Sequence, residues 1–118
     1  MEITGEARLL RIFLGSLDKI DGSPLYEAIV YAAQKQGLAG ATVLRGVMGY
    51  GASSLIHTAK IFEIADELPI VIEIVDESSK IDAFIQQIDP MLEKSKHGGL
   101  ITTERMDVRY YKGRKRNA

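Results

Sequence analysis

Cysteine is absent from this sequence, which removes disulfide bonds, thiol nucleophiles and thiolate metal sites together. Histidine is scarce. His57 and His97 are too few for a multi-histidine site within one chain, so no metal is expected. No apolar run approaches the length of a bilayer span, and the opening MEITGEARLL lacks a basic-then-apolar signal layout. A cytoplasmic protein that is not embedded in a membrane is therefore expected. No nucleophile, base and orienting group occur together at a recognisable spacing, so the sequence does not read as an enzyme. Paired aromatics on central strands, which an RNA-recognition module needs, are missing as well: Phe13 has no counterpart in the run IVIEIV. No nucleic-acid partner is expected.

What is present fits one ordinary domain. The chain has 118 residues, 46% hydrophobic and 26% charged, enough to bury a single core. Net charge is −1, but the charges are segregated. Between Glu63 and Glu93 the only base is Lys80, whereas Lys112, Arg114, Lys115 and Arg116 make the tail basic. Residues 1–113 are read as the domain and 114–118 as a solvated, mobile tail.

Hydrophobic patterning sets the order of elements. Residues 7–14 alternate as a strand, with Leu10, Ile12 and Leu14 on one face and Leu9, Arg11 and Phe13 on the other. Ser23 followed by Pro24 predicts a capped helix start, Leu25, Ala28, Ile29 and Ala32 its apolar stripe, and Gly37 its left-handed end. Residues 42–48 favour a second strand and 70–76 a third, apolar on both faces. Ser78 or Ser79 caps a second helix with the stripe Ile81, Ile85, Ile88 and Leu92; Pro90 predicts a kink or break near Asp89. Residues 100–111 supply a final strand or a pair of short strands. The order is β-α-β, loop, β-α-β, an α+β ferredoxin-like βαββαβ sandwich with both helices on one face of an antiparallel sheet. The face away from the helices is expected to carry Leu9, Phe13, Val43, Val47, Val71 and Val75, interrupted by Arg11, Arg45 and Glu73. Such an apolar surface predicts self-association.

The stretch from Gly40 to Thr58, GATVLRGVMGYGASSLIHT, collects the polar side chains Arg45, Ser53, Ser54, His57 and Thr58 around Gly46, Gly49 and Gly51. A strand opening into such a loop presents a binding surface on a rigid support. The spacing from Gly46 to Ser53 imitates a P-loop but lacks its lysine and an evident following helix, which argues against a Walker-type site. Residues 51–55 offer few apolar anchors and are expected to be the most mobile internal segment.

Several short motifs in shared order resemble the PII-like nitrogen-regulatory signalling proteins, above all their shorter, largely uncharacterised relatives. They are Gly40-Ala41-Thr42-Val43, Gly49-Tyr50-Gly51, His57-Thr58, Asp66-Glu67-Leu68-Pro69, Ile72-Glu73-Ile74-Val75, Gly98-Gly99 and Val108-Arg109, and the resemblance covers roughly residues 7–113. The resemblance implies a homotrimer that binds an adenine nucleotide in clefts between subunits. Carried over by position, Thr42, Gly49, Gly51, Gly98, Gly99 and a neighbour's Arg109 surround the nucleotide. Ser53, Ser54 and His57 lie further out, in a loop for sensing or for a protein partner such as a transporter. Glycine amides and an arginine suit phosphate oxygens. Leu100 stands where the family has a lysine, so AMP or ADP is as plausible an effector as ATP. The loop limb is also about three residues shorter than in regulatory PII proteins, a difference that loops accommodate readily, and no tyrosine matches theirs. Two other readings stay open: a small enzyme using Arg109 and His57 in the intersubunit cleft, and a trimeric scaffold without a small-molecule ligand.

Overall fold

The structure is a computed structural model in which residues 3, 5–51, 57–58, 67–95 and 98–113 are described. Among the described residues, the main sheet and the helices that cover it are β1 (Ala7–Gly15), α1 (Leu25–Gln36), β2 (Thr42–Arg45), β3 (Pro69–Glu77), α2 (Ser78–Ser95) and β4 (Leu100–Met106). The sheet order is β2-β3-β1-β4, every neighbouring pair antiparallel. This is the ferredoxin-like arrangement expected from the pattern.

The alternation in β1 and β3 decides which face is covered. Leu10, Ile12 and Leu14 on β1 and Ile70, Ile72 and Ile74 on β3 are buried together with Leu25, Ile29 and Ala33 of α1 and Ile81, Phe84 and Ile88 of α2. Ile85 and Leu92, placed in the α2 stripe from sequence, pack at its margin. At the end of α1, Gly37 takes φ 85°; its N–H donates to the Gln34 carbonyl and the Leu38 N–H to the Ala33 carbonyl, both at 3.1 Å. These two bonds form a Schellman motif, which satisfies carbonyls the helix leaves open.

Several expectations are corrected. Ser23 does not cap α1. It lies with Pro24 in a two-residue strand paired to Lys19–Ile20 around Asp21 and Gly22, both at positive φ, as a type I′ hairpin turn demands. The first helical N–H, that of Leu25, donates instead to the Asp18 carbonyl at 2.8 Å. Ser78 is likewise no cap: it is the first residue of α2, and its hydroxyl donates to the Glu6 carbonyl. Helix α2 runs on through Pro90. Gln86, Asp89 and Pro90 all lie on its exposed side, so the carbonyl freed by the proline can be met by water.

The second strand is shorter than expected. It ends at Arg45, after which the Gly46 N–H donates to the Pro69 carbonyl at 2.7 Å, and the chain re-enters extended structure only at Met48–Gly49, paired with His57–Thr58. Its register pairs Thr42 with Glu73 and Arg45 with Ile70. Val43 and Arg45 are therefore on the helix-covered side, and Thr42 and Leu44 on the open one, the reverse of the expectation. A shift of one residue exchanges the two faces of a strand. The final strand stops at Met106, and residues 107–113 are irregular. The expectation for residues 51–55 falls outside the described residues apart from Gly51.

Candidate functional site

The open side of the sheet is organised in rows by the strand registers. One row is Leu44, Val71, Phe13 and Leu100; the next is Thr42, Glu73, Arg11 and Thr102. The first is apolar, with Leu44 and Leu100 exposed. The second is polar and centred on Arg11. Its Nε donates to Glu73 Oε2 at 2.9 Å and its Nη1 to Glu104 Oε1 at 2.8 Å. These contacts, that with Glu73 foremost, hold the guanidinium above its ordinary pKa against partial desolvation. A cation lies here between two carboxylates on three adjacent strands.

Beside this row is a cleft of about 520 Å³, lined by Leu9, Val75, Arg11, Glu73, the 39–42 segment, Met106 and Tyr111. Its floor is apolar, and Leu9 is buried although it belongs to the open face. The wall at residue 39 is fixed from the protein interior. Asp76, fully buried at the end of β3, accepts the Ala39 N–H at 2.9 Å and the Glu77 N–H at 2.7 Å. From the other side the Tyr111 hydroxyl donates to the Ala39 carbonyl at 3.3 Å. Residues 107–113 thus return from β4 toward the start of β2.

The residues singled out from sequence divide into three groups. Thr42 lies in the cleft. The glycines gather at the end of the sheet where β1 finishes and β3 begins. A Cβ on Gly49 would come 3.2 Å from Pro69 Cγ, and one on Gly99 would come 3.4 Å from the Phe13 carbonyl oxygen; Gly51 meets nothing within 4 Å, and Gly98 is exposed. Arg109 follows β4 at the opposite end, where Met106 pairs with Ala7; it is highly exposed and reaches Asp107 at 3.4 Å. One chain therefore does not bring Arg109 to the glycines. Ser53 and Ser54 lie outside the described residues, and His57 is described only by its backbone pairing with Gly49.

Sequence reasoning did not assign Ala39, Tyr111 or Asp76 to the site. Tyr111 carries no periodic signal, and Asp76 is one of several acids in the stretch between Glu63 and Glu93. Among the described residues, no group of three or more His, Asp or Glu is placed to hold a metal, and no helix is long and apolar enough to cross a membrane.

An antiparallel β2-β3-β1-β4 sheet with both helices on one face is the fold of the PII-like proteins. CPII of Thiomonas intermedia K12, in its structure bound to ADP and bicarbonate, superposes with a TM-score of 0.64 at 17% identity, covering 88% of this chain and 89% of that one. The chain belongs to the DUF190 family (Uncharacterized ACR, COG1993), whose model matches residues 7–108. It is 42% identical over 103 residues to a UPF0166 protein of Aquifex aeolicus, covering 87% of this chain and 93% of that protein. A UPF0166 protein of Methanocaldococcus jannaschii is 36% identical over 109 residues, covering 92% and 94%.

Proposed function

We propose that this chain is a PII-like regulatory protein that binds an adenine nucleotide, AMP, ADP or ATP, in clefts between the subunits of a homotrimer. The loop around residues 49–58 contacts a partner protein, a transporter being one candidate. The observation that carries the reading is the cleft at Thr42. An apolar floor of Leu9 and Val75 suits the faces of a flat heterocycle, and Thr42, Glu73 and the 39–42 backbone offer the donors and acceptors its edge requires. The glycines at the far end of the sheet expose backbone amides suited to phosphate oxygens. The ADP in CPII supports the same ligand class.

Arg109 reaches the glycines only from a neighbouring subunit, since its own chain carries it to the opposite end of the sheet. The row Leu44, Val71, Phe13 and Leu100 supplies the apolar surface for such an assembly, and the Arg11 cluster can be buried there already paired. The protein binds and signals without turnover. Calorimetry with AMP, ADP and ATP tests this: micromolar binding of at least one, recovered chemically unchanged, is expected. Absence of binding by all three ends the nucleotide reading and leaves a trimeric scaffold. Consumption of the bound nucleotide makes the cleft an enzyme site.

A further inference from the structure

The C-terminal segment has a geometry that nucleotide binding alone does not require. Met106 leaves the sheet at the β4 edge, and Tyr111 reaches Ala39 beside the start of β2 at the other edge. Crossing three strand spacings takes roughly 14 Å. Five residues span at most about 17 Å when extended. The Tyr111 side chain adds its own reach to Ala39, so chain length alone does not fix the segment, and its position over the cleft depends on where its far end is tied.

That end is tied at a residue gripped from both sides. The Ala39 N–H is held by buried Asp76, and its carbonyl accepts the Tyr111 hydroxyl. The core-side bond involves a carboxylate shielded from water, whereas the cleft-side bond is neutral, part-buried and long at 3.3 Å. Ala39 is thus a fixed post, and Tyr111 is the contact that gives way first. Arg109 and Tyr110, between the two ends, are highly exposed.

We infer that Tyr111 is a latch: its hydroxyl holds residues 107–113 as a strap over the cleft, sets the position of Arg109, and must release for a ligand to exchange. The strap rests on the reading of the cleft as a ligand site, but the latch itself is measurable with no ligand present. Opening frees Tyr111 from Ala39 while Asp76 keeps the wall in place, so the cleft widens without loss of its floor. Tyr111 acts on the ligand through the strap and is a positioning residue.

Tyr111→Phe keeps the ring and removes the hydroxyl. Trypsin nicking after Arg109 and Lys112, followed by intact mass without ligand, is expected to accelerate roughly two- to tenfold, the range of one neutral hydrogen bond. Release of a fluorescent mant-ADP probe should accelerate by a similar factor, with the urea midpoint lowered by no more than the loss of that one bond accounts for. Tyr110→Phe, at an exposed neighbour, should alter neither rate. Nicking equal to the unmodified protein, or an equal rise in Tyr110→Phe, overturns the latch. Faster nicking with unaltered mant-ADP release overturns its control of the cleft. If mant-ADP binds neither protein, the nucleotide reading fails, and the nicking comparison still decides whether the latch exists.

Discussion

Removing the Asp76 carboxylate should destabilise the protein in two separable steps. The side chain is fully buried, and each oxygen accepts one backbone N–H, from Ala39 at 2.9 Å and from Glu77 at 2.7 Å. Asp76→Asn retains one carbonyl oxygen and turns the other position into a donor facing a donor. A hydrogen bond to a charged group contributes about 1.5–3 kcal/mol net, so Asn should cost about that much. Asp76→Ala leaves both N–H groups without the carboxylate and opens a small void, for a total of about 3–5 kcal/mol. Burial of a charge works in the opposite direction, since alanine escapes the desolvation cost. The measured net value of such bonds already contains that cost, so the loss prevails. Urea unfolding followed by circular dichroism, at one fixed protein concentration because assembly shifts the midpoint, measures both variants. The midpoint should fall in the order Asp, Asn, Ala with an unchanged slope. Asparagine equal to aspartate, or alanine within about 1 kcal/mol of it, would refute the bonds as the source of stability.

Gly46→Ala places a Cβ 2.7 Å from Pro69 Cγ and should cost about 1–3 kcal/mol, whereas Gly51→Ala meets nothing within 4 Å and should stay within about 0.5 kcal/mol; urea midpoints compare the two. Arg109→Ala should weaken nucleotide binding roughly ten- to hundredfold by calorimetry, the equivalent of one charge-assisted hydrogen bond. The assembly should survive this change, because Arg109 is highly exposed and, among the described residues, pairs locally with Asp107. Light scattering at micromolar concentration should give the mass of three chains; a monomer refutes burial of the Leu44, Val71, Phe13 and Leu100 row between subunits.

Much of the fold was legible because β1 and β3 advertise their faces. Leu10, Ile12 and Leu14, with Ile70, Ile72 and Ile74, repeat at the strand period and have no competing assignment. The Asp21-Gly22 hairpin is also legible in the sequence, in a dipeptide that favours positive φ at both positions, but the Ser-Pro pair beside it carries a competing helix-start signal. The β2 register could not be read. Its residues Thr42, Val43, Leu44 and Arg45 have no strict alternation, and pairing with β3, not composition, decides that Thr42 faces the cleft. Phe84 escaped because the stripe was drawn through Ile85, one residue away. The cleft was legible in part. Thr42 came through resemblance, while Tyr111 depends on an irregular reversal after β4 that leaves no periodic trace.

The central position of β1 has a consequence for the chain while it is being made. Strand β1 leaves the ribosome before the other elements of this domain, and its partners lie far downstream: Ala7 pairs with Glu77 on one side and Met106 on the other. Helix α1 can form early from local contacts, but the apolar residues of β1 have no strand to join until β3 emerges, and remain open along one edge until β4 follows. At about 5–20 residues per second, the nascent chain spends seconds with a long unpaired strand exposed. Pairings so distant in sequence also slow the folding step itself. A chain stopped before residue 100 would carry β1 as a sheet edge and invite the same strand from its neighbours, so premature termination should give aggregate and not a soluble fragment.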